Sequence, residues 1–262
     1  MAEPTLPICY NFTRYRLAAL SQTFCTSPSE QRSNRTSPRP TATMSSHPKL
    51  TLYLSPGACS LAPHIALCEA GIPFDTYVIT ARQGVPPGFG KINPKLRVPV
   101  LSIGEGSHEE IVTEVPAIMT AISQLAPEKN LLGRPGIETV RAYEWMNYLS
   151  GTIHVQSFGC LWRSHRFSDD EAVHDSIRAK GRKNAKDGFE FIESTLTGDF
   201  AVGNSFSAVD AYLYVFWRWG REIGVDMSRF PEYSKLAHGV VARPSAQQAL
   251  NAENITSWVE RA

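Results

Sequence analysis

The segment LTLYLSPGACSLAPHIALCEAG, residues 50–71, predicts a strand, a tight turn and a helix in succession. Residues 50–54 are apolar and compatible with a β-strand, and Pro56-Gly57 is a turn dipeptide. Ser60 is a suitable N-cap residue for the helix, and Gly71 is suited to end it. We therefore interpret the segment as the first strand and first helix of a small α/β unit.

Cys59 lies at the start of the predicted helix. Free N–H groups and the positive end of the helix dipole stabilise a thiolate there, so we expect a lowered thiol pKa and a nucleophile or redox partner. A small buried core cysteine is the alternative. Cys68 falls on the opposite face of the same helix, where we expect a core residue that cannot form a local disulfide with Cys59. A site with one thiol suits a mixed disulfide.

Composition limits the class of protein. The chain has 262 residues, 42% of them hydrophobic and 19% charged, which is enough for two domains of about 100 residues each. Apolar runs fall short of the ~18 residues of a transmembrane helix, and a net charge of +1 argues against nucleic acid or an anionic membrane as partner. The five scattered cysteines favour neither a disulfide framework nor a zinc site, so we expect reduced thiols and a cytoplasmic location.

Residues 1–48 are rich in Ser, Thr, Pro and Arg, and such a segment cannot bury a core. We expect a disordered, dispensable N-terminal extension. Its Arg-rich, acid-poor character also resembles a mitochondrial transit peptide. A third alternative is that translation starts at Met44, directly before the first strand.

The pattern after Gly71 predicts three further strands and a helix. We expect strands over residues 73–79, 100–103 and 110–113, a flexible loop over 83–90, and a helix over 114–125. The first two strands and the helix between them form a βαβ unit, which predicts parallel pairing.

Residues 126–136 are rich in Pro and Gly and predict a domain linker, after which the pattern becomes helical. One apolar stripe is expected to comprise Val140, Tyr143, Met146, Leu149 and Ile153.

The rest of the chain predicts three or more further helices. A long helix is expected over residues 168–196, and Ser207 with Asp210 forms a capping-box pattern before a wholly apolar, buried helix. Pro231 starts another helix, and Arg243-Pro244 separates it from the last one.

Three segments resemble the beta-class glutathione transferases. These segments are residues 52–67, Arg97-Val98-Pro99-Val100, and Thr113-Glu114-Val115-Pro116-Ala117-Ile118, in the family's order and spacing. The resemblance extends over roughly residues 50 to 252. It implies a glutathione-binding, thioredoxin-like domain over residues 49–126, an all-helical domain over 137–262, a cis Pro99 and a homodimer.

The resemblance also implies the site residues. Cys59 and His154 would be catalytic, with His154 donating a hydrogen bond to a thiolate or acting as a general base. A plain core histidine is the alternative for His154, and a plain helix-start acid is the alternative for Glu114. The residues expected to bind glutathione are Cys59, Ser60, Arg97, Val98, Pro99, Glu114, Val115 and Asn147.

The chain departs from the family pattern at several positions. Val115 stands where Gly or Ser is usual, Val155 where Lys is common, and Gly151 where Ser is usual. The loop after Ile79 lacks a clear equivalent of the family's glutathione-contacting Lys. We therefore expect weaker glutathione binding or an altered second pocket.

The sequence thus predicts a glutathione S-transferase-like enzyme that adds or exchanges the glutathione thiol on small electrophilic or disulfide substrates, as in detoxification. Glutathione would be a substrate, no metal is expected, and neither nucleic acid nor membrane is an expected partner. Phe158, Trp162 and Trp217 are expected in the second pocket. The alternatives are a glutathione-dependent isomerase, a reductive dehalogenase, a biosynthetic thiol-adding enzyme and a non-catalytic binding module.

Overall fold

The computed structural model describes residues 47–80 and 84–258, and within them four strands form one sheet of order β2-β1-β3-β4. Strand β1 (Leu50–Leu54) pairs in parallel with β2 (Asp75–Val78). Strands β3 (Val100–Ile103) and β4 (Glu110–Thr113) complete the sheet by antiparallel pairing. The predicted strands and the parallel βαβ pairing are therefore confirmed.

The alternation of β1 divides the sheet into two faces. Leu50, Leu52 and Leu54 are fully buried on the face that belongs to the main core, as the two-residue period of a strand requires. Helices α1 (Leu61–Ala70) and α3 (Val115–Leu125) contribute to the same core and contact each other. The domain core is therefore built on one face of the sheet.

The other face of the sheet carries a smaller apolar cluster. The ring of Phe89 packs there with Ile79, Val100 and the partly buried Tyr53. Phe89 opens a short helix, α2 (Phe89–Ile92), so the loop predicted over residues 83–90 ends earlier than expected. The apolar contacts of Phe89 supply the physical reason.

The helical part begins with one long helix that changes its hydrogen-bond pattern twice. Helix α4 (Ile137–Tyr148) continues into a π-helical segment (Leu149–Gly159), which continues into α5 (Cys160–Trp162). A π-helix is rare and is frequent at functional sites. The remaining α-helices of the described chain are α6 (His174–Thr195), α7 (Ala208–Glu222), α8 (Pro231–Val241) and α9 (Pro244–Glu253).

Helix α7 is the centre of this part. It is buried from Ala208 to Gly220, as its apolar sequence predicted, and it contacts α1, α4 and α8. Asp210 accepts hydrogen bonds from the main-chain N–H of Ser207 at 2.7 Å and of Ala201 at 2.8 Å. The predicted Ser207/Asp210 box is therefore confirmed, and burial raises the pKa of the Asp210 carboxyl to about 6.

The predicted apolar stripe on the long helix is only partly present. Met146, Leu149 and Ile153 are buried, whereas Val140 and Tyr143 are exposed. A strict three-residue spacing drifts by about 60° per step around a helix of 3.6 residues per turn. The first and last members of the stripe therefore cannot share one face, and the prediction was wrong for Val140 and Tyr143.

Two sequence predictions concern what lies around this fold. The extension predicted over residues 1–48 lies outside the described residues, apart from residues 47 and 48. Within the described ranges, none of the helices combines the length and apolar character needed to cross a membrane.

Candidate active site

A cleft of about 990 Å³ lies between the sheet side and the helical side of the molecule. Its sheet wall consists of residues 55–59, 97–99 and 113–115, together with nearby loop residues. Its helical wall consists of residues from the π-helical segment through residue 167, together with side chains of α7. The cleft brings together seven of the predicted site residues, namely Cys59, Arg97, Val98, Pro99, Glu114, Val115 and His154.

Cys59 follows a tight turn in which the Ala58 N–H bonds the Ser55 carbonyl at 3.0 Å. Its side chain is 6% exposed, and its Sγ lies 3.6 Å from the Val98 carbonyl oxygen, to which the thiol donates. Burial raises the pKa of Cys59 to about 12, and the lowering by the N–H groups of Cys59 and Ser60 is smaller. The predicted lowering of the thiol pKa is therefore wrong, because burial outweighs the helix N-terminus.

The turn before Cys59 is held by two side chains of the helical part. The Gly57 N–H donates to Glu253 Oε2 at 2.8 Å, and the Gly57 carbonyl accepts from Trp219 Nε1 at 2.8 Å. The other carboxylate oxygen of Glu253 lies 2.8 Å from Nδ1 of the buried His64. Gly57 has a φ of 72°, a conformation that favours glycine. Side chains of α7 and α9 thus fix the main chain that presents the thiol.

Two predicted glutathione-binding residues do not reach the cleft. Ser60 occupies the N-cap position of α1, but its Oγ accepts from the Ser55 N–H and donates to the Ser55 carbonyl, both at 3.1 Å. The expected side-chain cap is therefore absent, because the hydroxyl closes the preceding turn instead. Asn147 is exposed on α4 and does not line the cleft in this chain.

Glu114 lies at the start of α3 with a φ of 72°. Its carboxylate pairs with the ammonium of Lys95, which also donates to Thr113 Oγ1 at 2.7 Å. Both members of the pair are well exposed, so the pair contributes little to stability. The neighbouring Val98–Pro99 peptide bond is cis, as the resemblance implied. These groups present a carboxylate and a helix N-terminus side by side.

His154 lies in the π-helical segment, and aromatic rings surround it. Its ring centroid is 5.2 Å from that of Trp219 and 5.9 Å from that of Phe216. Burial first, and the positive charges of Arg97 and Arg166 second, lower the pKa of His154 to about 4. A neutral imidazole at neutral pH can donate one hydrogen bond and accept another.

The helical wall is aromatic, but one of its predicted members belongs elsewhere. Phe158 and Trp162 line the cleft as expected, with ring centroids 4.9 Å apart. Trp217 is buried in the core, where its indole N–H donates to Ser234 Oγ at 3.1 Å. Trp219 lines the cleft instead, because two residues along a helix correspond to a rotation of about 200°.

Sequence reasoning missed several cleft residues. The Tyr212 hydroxyl lies 3.3 Å from Ser150 Oγ, and both residues line the cleft. Burial and the neighbouring Cys59 raise the pKa of Tyr212. The apolar sequence of α7 predicts a core position for the whole segment, so it does not single out Tyr212. Arg163 and Arg166 also line the cleft. They lie in a polar turn whose residue spacing does not indicate a binding site.

The comparisons with known proteins agree with this geometry. The family model described as the glutathione S-transferase N-terminal domain matches residues 57–125, and the one described as the C-terminal domain matches residues 166–244. The solved structure of a sphingomonad glutathione S-transferase complexed with glutathione is 32% identical, with a TM-score of 0.68. The match covers 79% of this chain and 100% of that chain. The chain belongs to the glutathione S-transferase family.

Two further glutathione S-transferases similar to this chain include one of the beta class. A curated glutathione S-transferase of Xanthomonas campestris is 29% identical over 209 residues, which cover 79% of this chain and all of the relative. The beta-class enzyme of Sphingomonas chungbukensis is 31% identical with a TM-score of 0.68, at 79% and 100% coverage. The expected resemblance to the beta class, the fold and a glutathione S-transferase-like enzyme are thus confirmed.

Proposed function

We propose that this cleft is the active site of the transferase and that glutathione binds along its sheet wall. The sulfur would lie beside Cys59, the main chain of glutathione would pair with the strand-like segment at Val98, and Glu114 would bind the γ-glutamyl ammonium. The N-terminus of α3 would bind the adjacent carboxylate. The observation that carries the proposal is that one cleft unites Cys59, Val98, Glu114 and His154.

The charges around the sulfur position favour glutathione itself as the nucleophile. Cys59 has a pKa of about 12, so at neutral pH it is a thiol that can donate a hydrogen bond to a bound thiolate. His154 is neutral and can donate a second one. Arg97 and Arg166 add positive charge on the same cleft. The thiolate of bound glutathione would then attack an electrophilic carbon or a disulfide.

The glutathione site is tested through Glu114. Bound glutathione would replace the Lys95 ammonium, which is an exposed partner and costs little to displace. We expect Glu114→Gln to raise the KM for glutathione about tenfold, the size of one charge-assisted hydrogen bond, with 1-chloro-2,4-dinitrobenzene as electrophile. Glu110→Gln, on the exposed side of β4, is the matched control. Failure of millimolar glutathione to bind in calorimetry would reject the proposal.

We infer further that two copies of the chain form a homodimer through α4. Ile137 and Val140 are 67% and 58% exposed on α4, and Tyr143 is exposed one turn further along. The exposure of these apolar side chains and the family resemblance support a second copy as the partner. Light scattering should report twice the 29.0 kDa chain mass. A monomer at micromolar concentration would contradict the proposal, and Val140→Glu should convert a dimer to a monomer.

The cellular role follows from the same chemistry. The thiols of Cys59, Cys68 and Cys160 are free, which suits a reducing compartment such as the cytoplasm. We propose that the enzyme removes small toxic electrophiles there. Cell fractionation with an antibody to the chain tests the compartment.

A further inference from the structure

Three arginines line the cleft that also contains Cys59. Arg97 lies on the sheet wall, directly before Val98, whereas Arg163 and Arg166 lie on the helical wall in the turn that follows α5. The groups are close enough to interact, since the charges of Arg97 and Arg163 add to burial in lowering the pKa of Arg166. Holding like charges together costs free energy unless an anion binds between them.

No carboxylate of the described chain neutralises this cluster. The guanidinium groups of Arg97 and Arg166 form neither a salt bridge nor a hydrogen bond with residues of the described ranges, and the Arg163 guanidinium donates to the Trp162 carbonyl at 3.0 Å. The cleft lining holds two carboxylates, Glu114 and Glu222, and neither forms a salt bridge with these arginines; Glu114 pairs with Lys95. Among the other described arginines, Arg134, Arg141, Arg178 and Arg243 each pair with a carboxylate, whereas Arg182 and Arg218 donate to main-chain carbonyls.

The wall around Arg163 and Arg166 is apolar and accessible. Phe167 is 44% exposed and Val155 is 47% exposed, although both line the cleft. The ring of Trp162 packs edge to face against Trp219 at 4.9 Å. Exposed apolar side chains beside unpaired guanidinium groups form a surface for a flat molecule with an anionic end.

We propose that the second substrate is an aromatic or unsaturated organic anion whose carboxylate binds Arg163 and Arg166. Its apolar body would lie against Trp162 and Phe167, with its electrophilic carbon turned toward the glutathione sulfur. This assignment rests on the proposed transferase activity. For a chloronitrobenzoate, the thiolate forms a new S–C bond, the C–Cl bond breaks, and chloride leaves with the bonding electron pair. The thiol proton of glutathione passes to solvent.

The test compares two electrophiles that share ring and leaving group. 4-Chloro-3-nitrobenzoate carries a carboxylate, and 4-chloro-3-nitrobenzamide is its neutral counterpart. The readout is the ratio of their two kcat/KM values, each divided by the uncatalysed rate constant. We expect Arg166→Met to lower this ratio about tenfold, and Arg163→Met to lower it similarly, because each removes a charge-assisted hydrogen bond. Arg141→Met, on exposed α4, should leave the ratio unchanged.

A glycyl carboxylate of glutathione is the other anion that could reach these arginines. Glutathione ethyl ester, blocked at the glycine, separates the two sources. If Arg166→Met raises the KM for glutathione but not for the ester, and leaves the benzoate-to-benzamide ratio unchanged, the arginines serve glutathione and the proposal is overturned.

Binding measurements keep the proposal testable if neither electrophile turns over. Quenching of tryptophan fluorescence reports binding of the benzoate and the benzamide to the glutathione-loaded protein, independently of catalysis. Tighter binding of the benzoate that is lost in Arg166→Met supports the anion site even if the transferase proposal fails. Equal affinity of the wild-type protein for both compounds overturns it.

Discussion

The two walls of the cleft differ in the kind of groups that they present. The sheet wall offers main-chain groups, one thiol and one carboxylate, all set by short turns such as that at residues 55–58. The helical wall offers aromatic rings and guanidinium groups from the π-helical segment, α5 and the turn after it. The first wall suits a peptide such as glutathione, and the second suits electrophilic substrates of varied structure.

The two walls are nevertheless connected by hydrogen bonds to the main chain of one residue, Gly57. Gly57 belongs to the sheet wall, but both of its main-chain polar groups bond to side chains of the helical part, Glu253 and Trp219. The sheet wall therefore cannot hold its thiol in place by local structure alone. Glutathione binding should therefore respond to mutations in α9, far along the chain from Cys59.

The largest expected effect concerns the thiol itself. Cys59→Ala should abolish the mixed disulfide with glutathione and any thiol-transferase activity, because no second cysteine lines the cleft within the described ranges. Conjugation to 1-chloro-2,4-dinitrobenzene should survive, since glutathione carries its own thiol. Intact-mass spectrometry and peptide mapping after treatment with oxidised glutathione provide the measurement, with Cys68→Ala and Cys160→Ala as controls. An adduct spread evenly over the cysteines would remove Cys59 from its assigned role.

The rate of adduct formation at Cys59 should also depend on pH. Burial holds the pKa of Cys59 at about 12, so its thiolate is a minor species throughout the neutral range. The rate of adduct formation should therefore rise about tenfold per pH unit from pH 7 to pH 9 without a plateau, because the thiolate is the nucleophile. A plateau near pH 8 would indicate an ordinary thiol pKa and contradict the assigned burial effect.

The next effect in size breaks the coupling between the walls. Glu253→Ala leaves the Gly57 N–H and the ring N–H of buried His64 without their acceptor, and we expect it to lower the free energy of unfolding by about 2–4 kcal/mol. Urea denaturation measures the change. Glu128→Ala, at an exposed carboxylate, is the control and should change stability little. Equal stability of Glu253→Ala and wild type would show that the Gly57 contact is dispensable.

A smaller effect concerns the contribution of His154 to the pH dependence of stability. His154 has a folded pKa of about 4, below the ~6.5 of an unfolded histidine, so the unfolded chain binds the extra proton between these values. Its contribution to stability is therefore present above pH 6.5 and is lost as pH falls toward 4. Between pH 7.5 and pH 4.5 the free energy of unfolding of wild type should fall. That of His154→Gln should fall by about 1–3 kcal/mol less. Identical pH profiles in urea denaturation would contradict this.

The sheet wall was the more predictable of the two because its signals are local. The turn at Pro56-Gly57, the cysteine behind it and the helix that ends at Gly71 were each read from neighbouring residues. The Ser60 hydroxyl was the exception, since Ser55 competes for it within the same turn. The direction of the Cys59 pKa shift was also missed, because burial depends on distant parts of the chain.

The helical wall could not be predicted to the same degree because it depends on helix register. A two-residue difference decided that Trp219, rather than Trp217, lines the cleft. The π-helical pattern around His154 was also not predicted from the sequence. Glu253 and Gly57 meet although 196 residues separate them, and a local pattern cannot reveal such a pair.

The smallest expected effect concerns a hydroxyl that only the structure revealed. Tyr212 is buried on α7, its hydroxyl lies 3.3 Å from Ser150 Oγ, and the pKa of Tyr212 responds to the charge of Cys59. The hydroxyl can therefore donate a hydrogen bond toward a thiolate in the cleft. We expect Tyr212→Phe to lower kcat/KM for 1-chloro-2,4-dinitrobenzene about threefold to tenfold, as the loss of one such donor to a charged group does.

The adjacent Tyr214 supplies the matched control for this change. Its hydroxyl donates to the Ser257 carbonyl at 2.9 Å, and the residue does not line the cleft. Both Tyr→Phe variants lose a hydroxyl that is hydrogen-bonded in the folded state, so each should lose about 1 kcal/mol of stability. Only Tyr212→Phe should also shift the pH profile of kcat/KM to higher pH, because a glutathione thiolate with one donor fewer has a higher pKa. Equal activity losses in the two variants would reduce Tyr212 to a structural residue, and the helical wall would then act on the sulfur through His154 alone.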